Sequence, residues 1–213
     1  MNRGTTFLII AFFLIFSSNA FADSPLTSTA FYKAYTLEPI VNEAGNCNGI
    51  LTVSLMNYLA DPVQPIDIKM ALINRLGWDI KGKTNAATFI QHLQVKNGYS
   101  SIEDLKEKSS ADELICIAYL KAMDGYFDVK NALEYSNLAI TKAKNSYTIH
   151  LINALIYSQT FKYGNWCRIY QVMDKVKTNS SLIIDFKAEA TRIIFEYTNI
   201  YKKYCSPFSK FKR

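Results

Sequence analysis

The chain has 213 residues, 49% hydrophobic and 14% aromatic, with a formal charge of +6. That apolar content excludes a disordered chain. The modest charge, with lysines spread along the sequence, argues against a nucleic-acid-binding protein.

Residues 1–22 read as a secretory signal. Arg3 supplies a positive start, Phe7 to Phe16 form a short apolar run, and Ala20-Phe21-Ala22 is a small-residue cleavage motif. The run is too short to span a bilayer, and no later run reaches that length. Cleavage after Ala22 predicts an exported protein, periplasmic or secreted, with no membrane span in the mature chain. The remaining residues, 23–213, suffice for one sizeable core.

Helical spacing dominates the rest. Helices are expected at about 28–43, 49–60, 66–76, 85–96, 111–123, 129–144, 147–160 and 165–177. A ninth runs through Ile183, Phe186, Ala190, Ile193, Ile194, Tyr197, Ile200, Tyr201 and Tyr204, three or four residues apart. Ser100-x-x-Glu103 and Ser110-x-x-Glu113 have the form of capping boxes. Asp128 and Ser146 suit N-caps, and Pro65 suits a first helical turn. Strand signals are sparse. The expected fold is all-α, as antiparallel helical hairpins in a solenoid or an irregular bundle of about nine helices, forming a single domain. Within it, residues 23–110 form an N-terminal set of helices and 111–213 a second set.

The stretch GWDIKGKT, Gly77 to Thr84, matches the letters of a phosphate-binding loop, G-x-x-x-x-G-K-[ST]. Such a loop needs a preceding buried strand, and Ile66 to Leu76 reads as helix. Trp78, Ile80 and Lys81 are bulky for a backbone cradle. Leu182-Ile183-Ile184-Asp185 has the letters of a partner strand ending in Asp, but opens a helical pattern. The expectation is no nucleotide. Gly77 instead ends a helix with Trp78 as its hydrophobic contact, Asp79 to Gly82 form a turn, and Thr84 caps the next helix through its hydroxyl. Lys81 and Lys83 then stand on a loop beside Trp78 that is open to a partner.

Other chemistry is thinly represented. His92 and His150 are not at metal-ligand spacing, and no nucleophile elbow or H-E-x-x-H is present. No metal, cofactor or catalytic residue is expected. Asp124-Gly125-Tyr126-Phe127-Asp128 lacks the oxygens of a calcium loop; Gly125 ends a helix and Asp128 caps one. Asn179-Ser180-Ser181 is a glycosylation sequon, relevant only to a eukaryotic source. Lys202, Lys203, Lys210, Lys212 and Arg213 cluster in the tail, which reads as a solvated terminus. Of the four cysteines, Cys116 sits in an apolar run. Three disulfide pairings are possible for an exported protein, with Cys167 and Cys205 the favoured pair.

Between residues 111 and 178 two helical pairs follow each other. Ala132 and Ala139 are small residues seven apart, Tyr119 occupies a large position in the preceding helix, Ile149 opens the next unit, Ala154 takes its small position, and Gly164-Asn165-Trp166 forms a turn before its second helix. This resembles tetratricopeptide repeats. The segment from Lys121 to Ala132 is about four residues longer than the standard turn, the closing proline is absent, and Arg168 or Ile169 stands where a small residue belongs. The resemblance implies a groove for a protein partner, with Tyr119, Tyr126, Phe127, Tyr147 and Trp166 as candidate contacts. The expected function is non-catalytic binding of another protein. The alternatives are an immunity-type inhibitor of a toxin and a hydrolase whose site is assembled from distant residues.

Overall fold

The computed structural model describes residues 24–161 and 164–205. The expected signal peptide and its cleavage site, and Lys210, Lys212 and Arg213 of the tail, lie outside the described residues. The described chain is all-α. Eleven α-helices run in order: α1 (Pro25–Ser28), α2 (Pro39–Asn46), α3 (Val53–Leu59), α4 (Ile66–Leu76), α5 (Asn85–Asn97), α6 (Ile102–Lys108), α7 (Ala111–Asp124), α8 (Lys130–Lys142), α9 (Tyr147–Ser158), α10 (Trp166–Lys177) and α11 (Ala188–Asn199). Two 3-10 helices, Phe31–Tyr35 and Ile200–Cys205, complete the list. There is no strand among the described residues, only an isolated parallel bridge between Ser146 and Ile183.

The centre of the molecule follows from one stretch of sequence. Leu114-Ile115-Cys116-Ile117-Ala118-Tyr119-Leu120 is apolar on every face of a helix, and all seven residues are buried in α7. A helix that is apolar all round needs neighbours all round. It finds them in α4, α5, α8 and α9. Its start is fixed by a complete capping box: Ser110 Oγ accepts the Glu113 N–H, and the Glu113 carboxylate accepts the Ser110 N–H. Ala132, Ser136 and Ala139 point inward from α8, where small side chains allow the close approach of α7.

Several expected elements are redrawn. The helix expected at 28–43 is three pieces: α1, a 3-10 turn and α2. Pro39 sits in the first turn of α2, and the residue before it, Glu38, is extended, as a following proline requires. The helix α6 was not expected as such; its cap is Ser101, whose hydroxyl accepts the Asp104 N–H, one residue later than the expected box at Ser100. Asp128 likewise stands one residue before the N-cap, Val129, and accepts the Lys130 N–H. The last helix starts at Ala188, so Leu182 to Phe186 are not its first turns. Leu182 and Phe186 are buried there.

Polar side chains hold these pieces in register. Asn74, buried on α4, accepts the Tyr32 N–H and donates to Thr29 O and to the Tyr119 hydroxyl at 2.9 Å. Asn85 clamps the loop before α3, accepting the Leu51 N–H and donating to Gly49 O. Lys69 is 1% exposed and holds Asp112 at 3.2 Å, tying α4 to the start of α7. Tyr35 donates to Asp67 and accepts the Lys187 N–H, so the first and last helical layers meet at one hydroxyl.

Cys167 and Cys205 form a disulfide, with Cα atoms 4.7 Å apart. Cys116 is buried and Cys47 half-buried, both as free thiols. Burial pushes the Cys116 thiol well above its ordinary value, as for a small core hydrophobe. No helix among the described residues is long and apolar enough to cross a membrane.

Candidate protein-contact surface

The loop Gly77 to Thr84 lies against the loop after α7. The Lys83 N–H donates to Asp124 O at 3.2 Å, and Trp78 stacks on Tyr126 with ring centroids 4.6 Å apart. Tyr126 in turn meets Phe127 edge-on at 5.1 Å. The Gly82 N–H donates to Asp79 O, closing the expected four-residue turn, and the Asp79 carboxylate accepts the Lys81 N–H.

The lysine and the helix start that would serve a phosphate both have other occupations. The Lys83 ammonium donates to the carbonyls of Leu76 and Gly77, both at 2.9 Å, and so closes the C-terminus of α4. Burial holds its pKa below the usual lysine value. At the N-terminus of α5, where an anion would sit, the carboxylate of Asp124 accepts the Ala86 N–H at 2.7 Å. This corrects the expectation for Thr84, whose hydroxyl makes no cap hydrogen bond. It also corrects that for Gly77, whose φ of 67° and ψ of −173° are extended with positive φ, not the left-handed cap. Burial raises the Asp124 pKa against the pull of the Ala86 N–H and of Lys83 and Lys121. Its second oxygen is buried without a hydrogen-bond partner among the described residues.

The letters Leu182 to Asp185 are equally structural. Ile183 exchanges hydrogen bonds with Asn145 O and the Tyr147 N–H, and Asp185 accepts from the Ser146 hydroxyl and the Thr148 N–H. Asp185 thus caps α9 alongside Ser146, which accepts the Ile149 N–H as expected.

The expected contact residues separate into two groups. Tyr119, Tyr126 and Tyr147 are buried in the folded chain. Tyr119 is held by Asn74, Tyr126 by the Trp78 stack, and Tyr147 is packed in the core. Trp166 is half-buried and stacks face to face on Tyr201 at 5.0 Å. Phe127 is 58% exposed, and Ile80 on the facing loop is 60% exposed. Sequence reasoning named Phe127 but not Ile80. The signal for Ile80 was present, since an apolar residue at the tip of a turn has no core to enter. A shallow depression of about 370 Å³, lined by residues including Ile50, Asp79, Lys83 and Thr88, borders the same loop.

His92 stacks against Phe89, and His150 Nε2 donates to Lys144 O. The structure brings neither histidine into a hydrogen bond with a carboxylate or a cysteine among the described residues. No group of three or more His, Cys, Asp or Glu side chains at metal-binding distance occurs among them. Comparison with known proteins gives no lead: no family model, no curated protein and no solved structure matches the chain.

Proposed function

We propose that this is an exported, non-catalytic protein that binds another protein through the paired loops Gly77 to Thr84 and Asp124 to Asp128. The observation that carries the reading is that Ile80 and Phe127 are exposed on two loops joined by the stacked rings of Trp78 and Tyr126. Exposed apolar side chains on loops fastened to each other bury area on association with less ordering cost than free ones. The pairing of α7 with α8, α8 with α9 and α9 with α10 supports tetratricopeptide-like hairpins as the scaffold behind these loops. Export is supported by the signal-like first 22 residues and by the disulfide.

The test is a photo-crosslinking amino acid placed at Ile80 or Phe127, with Val95, 87% exposed on α5, as the control position. The expected result is a discrete crosslinked protein from the first two positions and none from the third. It should be lost when Trp78→Ala removes the stack. Equal labelling from all three positions, or none, would reject the surface.

A further inference from the structure

Net charge is distributed very unevenly along this chain. Residues 1–165 carry fourteen basic and fourteen acidic side chains, whereas residues 166–213 carry ten basic and four acidic ones. The whole surplus of +6 therefore belongs to the last 48 residues, although the lysines themselves are spread throughout.

The fold gathers part of that surplus onto one structural unit. The 3-10 helix Ile200–Cys205 packs on α10. The Cys167–Cys205 disulfide and the Trp166–Tyr201 stack fasten the two together. Arg168 and Lys175, seven residues apart, share an exposed face of α10. Lys202 and Lys203 are exposed on the 3-10 helix, 5.9 Å from the Tyr170 ring and 5.1 Å from the Tyr204 ring respectively. None of these four cations has a carboxylate in ion-pair range among the described residues. Elsewhere Lys106, Lys108 and Arg192 do, with Glu134, Asp104, and Glu189 and Glu196. The same 3-10 helix carries Ile200 and Tyr204, 46% and 41% exposed and four residues apart. The sequence after Cys205, SPFSKFKR, holds three further basic and two aromatic residues and lies outside the described residues.

We propose that this C-terminal unit is a peripheral docking surface for an anionic phospholipid bilayer. Unpaired lysines interleaved with isoleucine and tyrosine suit the headgroup layer, where ammonium groups meet phosphate and amphipathic rings sit at the boundary. Three of the four cations are lysine, which favours lipid over protein, because lysine is depleted in protein interfaces and arginine enriched. The proposal goes beyond protein binding. It assigns a second surface, remote in sequence from Ile80 and Phe127, that would place the protein at a membrane.

Sedimentation of the purified, oxidised protein with vesicles tests it. Vesicles containing about one-third phosphatidylglycerol should bind the protein at low salt, pure phosphatidylcholine should not, and about 0.5 M salt should release it. The double variant Lys202→Ala/Lys203→Ala should weaken binding by up to about 30-fold, from about 1 kcal/mol per surface charge. Lys130→Ala/Lys144→Ala, which removes two exposed charges from the neutral part of the chain, should leave it unchanged. Equal binding to both vesicle types, no binding to the anionic vesicles, or equal loss from both double variants would overturn the proposal. Tighter binding to polyglutamate or duplex DNA than to vesicles would overturn it too, and would assign the surface to an acidic macromolecule. None of these outcomes bears on the crosslinking from Ile80 and Phe127.

Discussion

The Asp124 carboxylate, at the end of α7, accepts the Ala86 N–H in the first turn of α5, 38 residues earlier in the chain. A helix start is thus completed by the end of a different helix. Asp124→Ala removes the acceptor and should cost about 1–2 kcal/mol of stability, measured by urea unfolding. Asp124→Asn keeps an acceptor and should cost much less.

The same residue sets a pH dependence. Its pKa is raised in the folded state, chiefly by burial, so the folded protein holds this proton more tightly than the unfolded chain does. Its contribution to stability is therefore greatest below the ordinary Asp value. It declines as pH rises from there through the raised folded value. The stability of Asp124→Asn relative to the native protein should accordingly improve between about pH 4 and pH 7. A flat difference across that range would show that the carboxylate is not strained by burial.

Asn74 satisfies three groups of the core at once, from Thr29, Tyr32 and Tyr119. Tyr119→Phe leaves Asn74 one acceptor on that amide and should cost about 1–2 kcal/mol. Asn74→Leu strands all three partners and should cost at least about 3 kcal/mol. Thermal unfolding of the two variants checks the order.

Lys83→Ala should behave as the loss of a helix stop. It frees the carbonyls of Leu76 and Gly77 and should lower stability by about 1–2 kcal/mol. Titration with a labelled nucleoside triphosphate should show no saturable binding to the native protein. Saturable binding abolished by this substitution would mean that the loop exchanges its present partners for phosphate.

Replacing both Cys167 and Cys205 with serine opens a covalent link across 38 residues and should cost about 2–4 kcal/mol. Thiol titration of the denatured, unreduced protein should count two free thiols, those of Cys47 and Cys116. Four would refute the bridge.

What could be read from the sequence tracks how local the determining contact is. The all-α class, the helix over Ile66–Leu76, the Ser110 capping box and the Ser146 cap depend on neighbours within a turn or two, and they stand as read. The favoured cysteine pair also stands. The errors fall where a distant group supplies the partner. Thr84 has the right chemistry for a cap, yet Asp124 takes the role. Leu182 to Asp185 has helical spacing, yet Ile183 and Asp185 are committed to Asn145, Ser146, Tyr147 and Thr148. The surface suffered the same ambiguity. Tyr119 and Phe127 are both aromatic residues in or beside α7, and only the packing around them makes one a core ring and the other an exposed one.

The Tyr35 hydroxyl, shared between Asp67 and the Lys187 N–H, restricts the order in which the protein can form. The 3-10 helix that carries it packs on α11, and α1 packs on α9 and α11. Synthesis delivers the amino-terminal end first. These earliest segments can meet α4 soon after they form, but they lack α11 until more than 150 further residues have been made. Their waiting apolar side chains, Leu26 and Phe31 among them, are fully buried only in the finished molecule. A chain built this way completes its fold only once α11 has been made, and truncation before α11 should leave its beginning without part of its packing.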